Sequence, residues 1–321
     1  MSDRRRVIVR LAWIAGVAAL GVLPFLVDAF WVNVLVLGLI SSIAVFSVNF
    51  LTGYAGLLSF GQAGFVGTGA YTYGVLTVAG AHPLPAGVAG VLLAVLLGAL
   101  LGMPAARLKG HYLAIGTLGF GVLIAQMLNN LVDVTRGPMG LLGIRSFGLD
   151  RNQWYWTLLA FSLAVMLGLR WLEQRTFLGV VLKSVKHDEI SARSSGIAVF
   201  PVKLVGFCVS AAFAGLAGVL LAGYMRFLTP DLFTTAESFR YLMMAVVGGV
   251  GSAAGGWIAA LVLTGLPEVL RGLGETNVRL LVYGSTVLAV LWFIPKGIGG
   301  ILEHRAGGVA RRTGTSRGGS P

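Results

Sequence analysis

The chain has 321 residues, of which 56% are apolar and only 11% charged, against roughly 25% charged in an ordinary soluble domain. This excludes a water-soluble globular protein and identifies an integral membrane protein. The formal net charge of +12 raises the question of a nucleic-acid partner, which the placement of the charges answers in the negative.

Nearly charge-free runs occupy 11–27, 31–50, 57–79, 84–104, 112–131, 154–169, 204–225, 241–266 and 280–294. Their lengths bracket the ~20 residues that cross a ~30 Å hydrocarbon core at ~1.5 Å per residue. The first run follows Arg4, Arg5 and Arg6 and precedes Val27-Asp-Ala29, which faintly resembles a secretory signal. Its apolar core exceeds the usual ~7–15 residues of a signal segment, so it reads as an uncleaved helix.

The third run opens inside the stretch 53–71, where six of nineteen residues are Gly and none is charged. Lipid does not tolerate unsatisfied backbone, so a Gly-broken segment at membrane depth is buried in protein or lines a cavity. That points to transport, with Gly56, Ser59, Gly61, Gln62, Gly64 and Tyr71 as candidates for a translocation path or gate. A second broken segment, 248–256, lies roughly 190 residues later and adds Gly248, Gly249, Gly251 and Ser252. Paired broken helices are a pointer to repeat-built transporters, although direct similarity between these two is slight. Other polar residues at depth, among them Asn33, Ser42, Ser47, Asn49 and Thr68, read as interhelical hydrogen-bonding groups. Small residues four apart, such as Gly98/Gly102 and Ala214/Gly218, let helix backbones approach closely.

The longest polar interruption is about 173–201. Within it a short helix fits 187–195, with Asp188 and Glu189 near its positive end, Arg193 near its negative end and Gly196 beyond it as a stop. A compact loop of this kind suits docking in a groove of another protein; the competing reading is a solvated turn. The tail 301–321 is rich in Gly, Arg and Ser and is expected to be disordered. Residues 1–300 form the transmembrane domain, and no soluble domain is expected.

With the N-terminus in the cytoplasm and alternating spans, the inside receives 1–10, the loop with Arg107 and Lys109, 170–203 and the tail after Pro295. These pieces carry the whole excess of +12, and the outside pieces cancel, as the positive-inside rule requires. No nucleic-acid contact is needed to explain it. Two basic tails on one side require an even number of crossings. The broken run at 241–266 therefore makes two short crossings, giving ten, or re-enters, giving eight. Either places Glu268, Arg271, Glu275 and Arg279 outside.

Absences narrow the chemistry. No phosphate-binding loop of the Gly-x-x-x-x-Gly-Lys-Ser/Thr type is present. His82, His111, His187 and His304 lack metal-ligand spacing, and Ser59 lacks the Gly two residues before it that a nucleophile elbow carries. Neither an enzymatic activity nor a cofactor is expected. Cys208 is alone, so no intrachain disulfide forms. The spans are poor in ionisable residues, which ion-coupled transporters usually keep at depth. The energy for transport is therefore expected to come from another polypeptide. A stand-alone secondary transporter or channel for a small polar solute, urea or an amide included, is the alternative.

Several blocks, taken together, resemble a known family. Gly53-Tyr-Ala-Gly, Leu58-Ser-Phe-Gly-Gln-Ala-Gly-Phe and Gly69-Ala-Tyr71 are similar to permease subunits of branched-chain amino-acid ABC transporters, the LivM-like branch. So are Tyr112-Leu-Ala-Ile-Gly-Thr-Leu, Thr135-Arg-Gly-Pro-Met-Gly-Leu141, Asp188-Glu-Ile-Ser-Ala-Arg-Ser-Ser-Gly-Ile197, Gly248-Gly-Val-Gly-Ser252 and Phe293-Ile-Pro-Lys-Gly297. The resemblance implies an all-α helix bundle of 8–10 crossings with Gly-broken helices in the bacterial inner membrane, both termini cytoplasmic. It also implies a homologous second permease, two cytoplasmic ATPase subunits, a periplasmic substrate-binding protein and import of branched-chain or other hydrophobic amino acids. On this pattern His187, Asp188, Glu189, Ser191, Arg193 and Gly196 belong to the loop that couples to the ATPase.

Overall fold

The structure is a computed structural model that describes Gly16, residues 20–108 and 110–273, and positions 281, 282, 284, 285, 288, 292, 293 and 297–300. Arg4, Arg5, Arg6, Lys109, Glu275, Arg279, Lys296, much of the runs at 11–27 and 280–294, and the tail 301–321 lie outside the described residues.

Helix α1 (Ala29–Val48) is apolar around its circumference, and from Gly38 onward every residue is buried, as befits a helix surrounded by protein. It runs into a π-helical turn, Asn49–Tyr54, which extends it to 26 residues. The chain then leaves helical geometry and resumes as α2 (Gln62–Val78). The run expected at 57–79 is therefore a broken crossing, helical only over its later part. Next come α3 (Pro83–Ala105), with Pro83 in its first turn, and α4 (His111–Asn130). Helix α5 (Arg151–Arg175) starts on a capping box in which Asp150 and Gln153 each bond the other's backbone. The polar interruption holds α6 (Phe177–His187) and α7 (Glu189–Ser194), and α8 (Val199–Met225) follows.

The run at 241–266 divides into α9 (Thr235–Gly248) and α10 (Ala253–Val269). Gly248 packs directly on the backbone of Gly255 and Gly256, so the two helices fold back on each other as short arms. Among the described residues, five helices are long and apolar enough to cross a membrane; α2, α9 and α10 are shorter members of the same bundle.

The centre of the bundle is α8 against α2 and α3. Gly218 of α8 lies on the Val66 carbonyl of α2, and a Cβ at Gly98 of α3 would stand 2.5 Å from the Ala211 methyl of α8. Backbones this close require glycine at the contact. The opposite side of α3 exposes Leu84, Val88, Leu92, Leu96 and Leu100, one residue per turn, as a lipid-facing stripe. At one end of the bundle β1 (Leu141–Leu142) pairs antiparallel with β2 (Phe227–Leu228). Tyr73 of α2 donates its hydroxyl to the Arg145 carbonyl there, at 2.7 Å. The other end carries α6 and α7. The architecture is an all-α polytopic bundle, as its composition and runs lead one to expect.

Candidate functional site

The two Gly-rich segments, far apart in sequence, meet at the end of the bundle that carries α6 and α7. A Cβ at Gly53 would stand 2.5 Å from the Gly251 nitrogen and 2.6 Å from its Cα. Gly251 has φ +92°, a left-handed conformation that favours glycine. Asn49, in the π-turn, is buried and clasps the second segment. Its Oδ1 accepts the Gly251 N–H at 3.0 Å, and its Nδ2 donates to the Ser252 carbonyl at 3.2 Å. The Ser252 hydroxyl in turn accepts the Gly255 N–H at 3.3 Å as the cap of α10. π-turns recur at functional sites, and here one holds the residue that joins the two breaks.

Lys186 of α6 reaches the same junction, its Nζ donating to the Gly53 carbonyl at 2.6 Å. Its stem crosses Gly56, where a Cβ would lie 2.9 Å from Lys186 Cγ and where φ is +71°. Glu173 is held by Lys183 at 3.0 Å. Gly53, Lys186, Gly249, Gly251 and Ser252 line a cavity of about 490 Å³.

The start of α2 shows where the other sequence candidates lie. Ser59, Gly61, Gln62, Gly64 and Tyr71 are buried, as are Gly248, Gly249 and Ser252; Gly251 is half-buried and Gly56 is exposed. Gln62 joins two neighbouring helices. Its Oε1 accepts from Ser47 of α1 at 2.7 Å, and its Nε2 donates to Ser210 of α8 at 3.1 Å. The Ser210 hydroxyl donates to the Ser47 carbonyl at 3.0 Å. The N–H groups freed by the break are also taken up by protein. Phe60 donates to Thr117 of α4 at 3.0 Å, Ala63 to Ser238 of α9 at 2.9 Å, and Gly61 to Ser59 at 3.3 Å. Tyr71 packs edge-on against Phe233, and its hydroxyl makes no hydrogen bond. Of the remaining polar residues at depth, Asn33 accepts from Tyr224 of α8 at 2.5 Å, whereas Ser42 and Thr68 bond carbonyls of their own helices.

Helix α7 falls within the span expected from sequence and begins two residues later. Asp188 is its N-cap rather than part of it. One carboxylate oxygen accepts the Ile190 N–H at 2.9 Å and the other the Ser191 hydroxyl at 2.6 Å. These two bonds, the Ser191 hydroxyl foremost, hold the Asp188 carboxyl below its usual range. The helix stops as the sequence suggests. Gly196 has φ +80°, its N–H bonds the Arg193 carbonyl, and the Ile197 N–H reaches back to Ala192, which is a Schellman closure. Ala192 is buried with Val185 and Val199, while His187, Ile190, Ser191 and Arg193 face outward.

Glu189 turns the other way. It pairs at 2.5 Å with Lys203 in the first turns of α8, and the Lys203 side chain is only 3% exposed. Sequence reading passed over both Lys203 and Lys186. A lone lysine opening an otherwise apolar helix was the available signal for Lys203, since a buried ammonium needs a partner. The Lys186 contact is to a backbone carbonyl, so no side-chain pattern marks it.

With this geometry in view, the family described as "Branched-chain amino acid transport system / permease component" matches residues 30–291. The high-affinity branched-chain amino acid transport system permease protein LivM of Escherichia coli is 35% identical, over 86% of this chain and 71% of that one. The probable branched-chain amino acid transport permease protein LivM of Methanocaldococcus jannaschii is 22% identical over 78% of this chain and 88% of that one. The autoinducer 2 import system permease protein LsrC of Salmonella paratyphi B is 26% identical over 57% of this chain and 60% of that one. No solved structure matches the chain.

Proposed function

The chain belongs to the branched-chain amino-acid transport permease family, and on that premise we propose how it carries out import. It is a transport subunit of an ATP-driven importer in the inner membrane, and the ATPase resides on separate chains. The end with α6 and α7 faces the cytoplasm, together with both termini, in keeping with the one-sided excess of Lys and Arg. A homologous second permease completes the membrane unit, two ATPase subunits bind below, and a periplasmic binding protein delivers substrate at the end with β1 and β2.

One observation carries the assignment of α7 as the coupling element. It is capped at both ends and presents Ile190, Ser191 and Arg193 outward, while Ala192 and Glu189 secure it to the permease. A surface that moves with an ATPase groove is thereby tied to α8, and α8 bonds α1 and α2 through Ser210. Branched-chain or other hydrophobic amino acids are the cargo. The chain beside the break supports this: exposed Leu58, Phe239 and Met243, with the Phe60 ring tilted against that of Phe239 at 5.0 Å between centroids, offer an apolar surface for such a side chain to pass.

The test is reconstitution in vesicles with labelled leucine. The expected result is uptake that needs ATP, the ATPase subunits and the binding protein together. Uptake by the permease without ATPase subunits would instead make it a secondary transporter or channel.

A further inference from the structure

We propose that Lys186 is a positioning residue that latches the cytoplasmic end of the broken helix and passes movement of α7 to it. The inference rests on the importer reading only for the source of the movement. The latch itself follows from contacts. The Gly53 carbonyl lies at the C-terminal end of the first broken helix, where carbonyls lack helical partners and the dipole is negative, so an ammonium is favoured there. Lys186 supplies it at 2.6 Å, and the nearby carboxylates are engaged elsewhere, Glu173 by Lys183, Glu189 by Lys203 and Asp188 by Ser191 and the Ile190 N–H.

Gly53 in turn rests on Gly251, and the contact between them is backbone on backbone. Among the described residues, three side-chain hydrogen bonds join different elements at this junction, and two of them come from Asn49, inside the bundle. The third comes from α6, which the single residue Asp188 joins to α7. Lys186 is thus the hydrogen-bonding link between the cytoplasmic loop and the meeting point of both Gly-rich breaks. A displacement of α6 that withdraws the ammonium leaves the Gly53 carbonyl facing the cavity and frees Gly53 to part from Gly251. The left-handed Gly56 leaves room for the lysine stem. Lys186 is itself an exposed residue, so replacing it removes the bond without disturbing the core.

The experiment uses the full chain with its partner subunits in membrane vesicles. Cys208→Ala removes the native thiol and Val250→Cys places one at an exposed position beside the cavity. In this background Lys186→Met is expected to raise the rate of labelling by a charged maleimide about tenfold, the shift expected on losing a charge-assisted hydrogen bond. Lys186→Arg, which keeps a cationic donor, is expected to restore it to within about twofold. In the complete transporter Lys186→Met is expected to lower amino acid taken up per ATP hydrolysed several-fold, with purification yield unchanged. Unchanged labelling, an equal rise in the arginine variant, or an unchanged ratio of uptake to hydrolysis overturns the latch. Should the parent complex show no ATP-driven uptake, it is the importer reading that fails, and the labelling comparison still decides the latch.

Discussion

The middle of the bundle and its loop-bearing end are held together by different means. In the middle, α2, α3 and α8 meet backbone to backbone, with Gly218 on the Val66 carbonyl and Gly98 against Ala211. At the end, directed contacts stand out: Lys186 bonds Gly53 and Glu189 pairs with Lys203, beside a small apolar cluster of Val185, Ala192 and Val199, while Asn49 ties the π-turn to the 251–252 turn. Close packing is the sum of many weak contacts that are lost together when helices separate. A hydrogen bond or ion pair can be broken singly and re-formed with a new partner. On the coupling role proposed above for α7, the middle would move as one body and the end would serve as a joint.

The sharpest way to break this contrast is Gly218→Leu. A single Cβ already collides with the Val66 carbonyl, so four heavy atoms cannot fit between α2 and α8. The expected outcome is no folded permease recovered in detergent; a normal size-exclusion profile would show that the middle is not rigid. At the joint the largest effect is Glu189→Ala. It leaves the Lys203 ammonium buried without its carboxylate, a loss of about 3–5 kcal/mol for breaking a buried pair. The expected signs are a lower thermal midpoint and loss of the ATPase subunits on purification. Adding Lys203→Met should return most of the stability, since no charge is then stranded. Asn49→Ala comes next. It strands the Gly251 N–H and the Ser252 carbonyl, at about 1–3 kcal/mol, and should loosen the 249–252 turn while α1 remains helical. Faster thiol labelling at position 250 with unchanged helical circular dichroism is the measurement.

The same contrast governs what the sequence reveals. The apolar runs, the division of 241–266 by its glycines, and the limits of α7 at Asp188 and Gly196 are all local, set by hydropathy, by backbone conformation and by caps, so a single chain displays them. The glycines of 53–71 imply either a cavity or close contact, and the sequence does not separate the two. Gly61 and Gly64 pack against α4, whereas Gly56 lies exposed under Lys186. Ser59 and Gln62 read as path candidates by depth, yet their partners, Ser47, Ser210 and the Gly61 amide, turn them into internal bonds. Which of these outcomes holds depends on residues up to 148 positions away, and no periodicity reports that. Lys186 and Lys203 were passed over for the same reason: one meets a backbone carbonyl and the other a carboxylate on a neighbouring short helix.

The smallest expected effect at the joint concerns the cap of α7. Asp188 is fully exposed, and the Ser191 hydroxyl and Ile190 amide lower its pKa. A lowered value in the folded state means that the ionised cap stabilises α7 at every pH above the ordinary aspartate range, and that this contribution fades only as pH falls through the lowered value. Across neutral pH the cap is therefore constant, and docking of the ATPase should show no pH dependence from this residue. Asp188→Asn keeps an oxygen that can accept the Ile190 N–H and is as good a cap, so it should change apparent affinity for the ATPase subunits by less than about twofold. Asp188→Ala removes the acceptor and should weaken it by about two- to fivefold. If asparagine weakens docking as much as alanine, the carboxylate is contacting the partner directly, and the cap is not its main role.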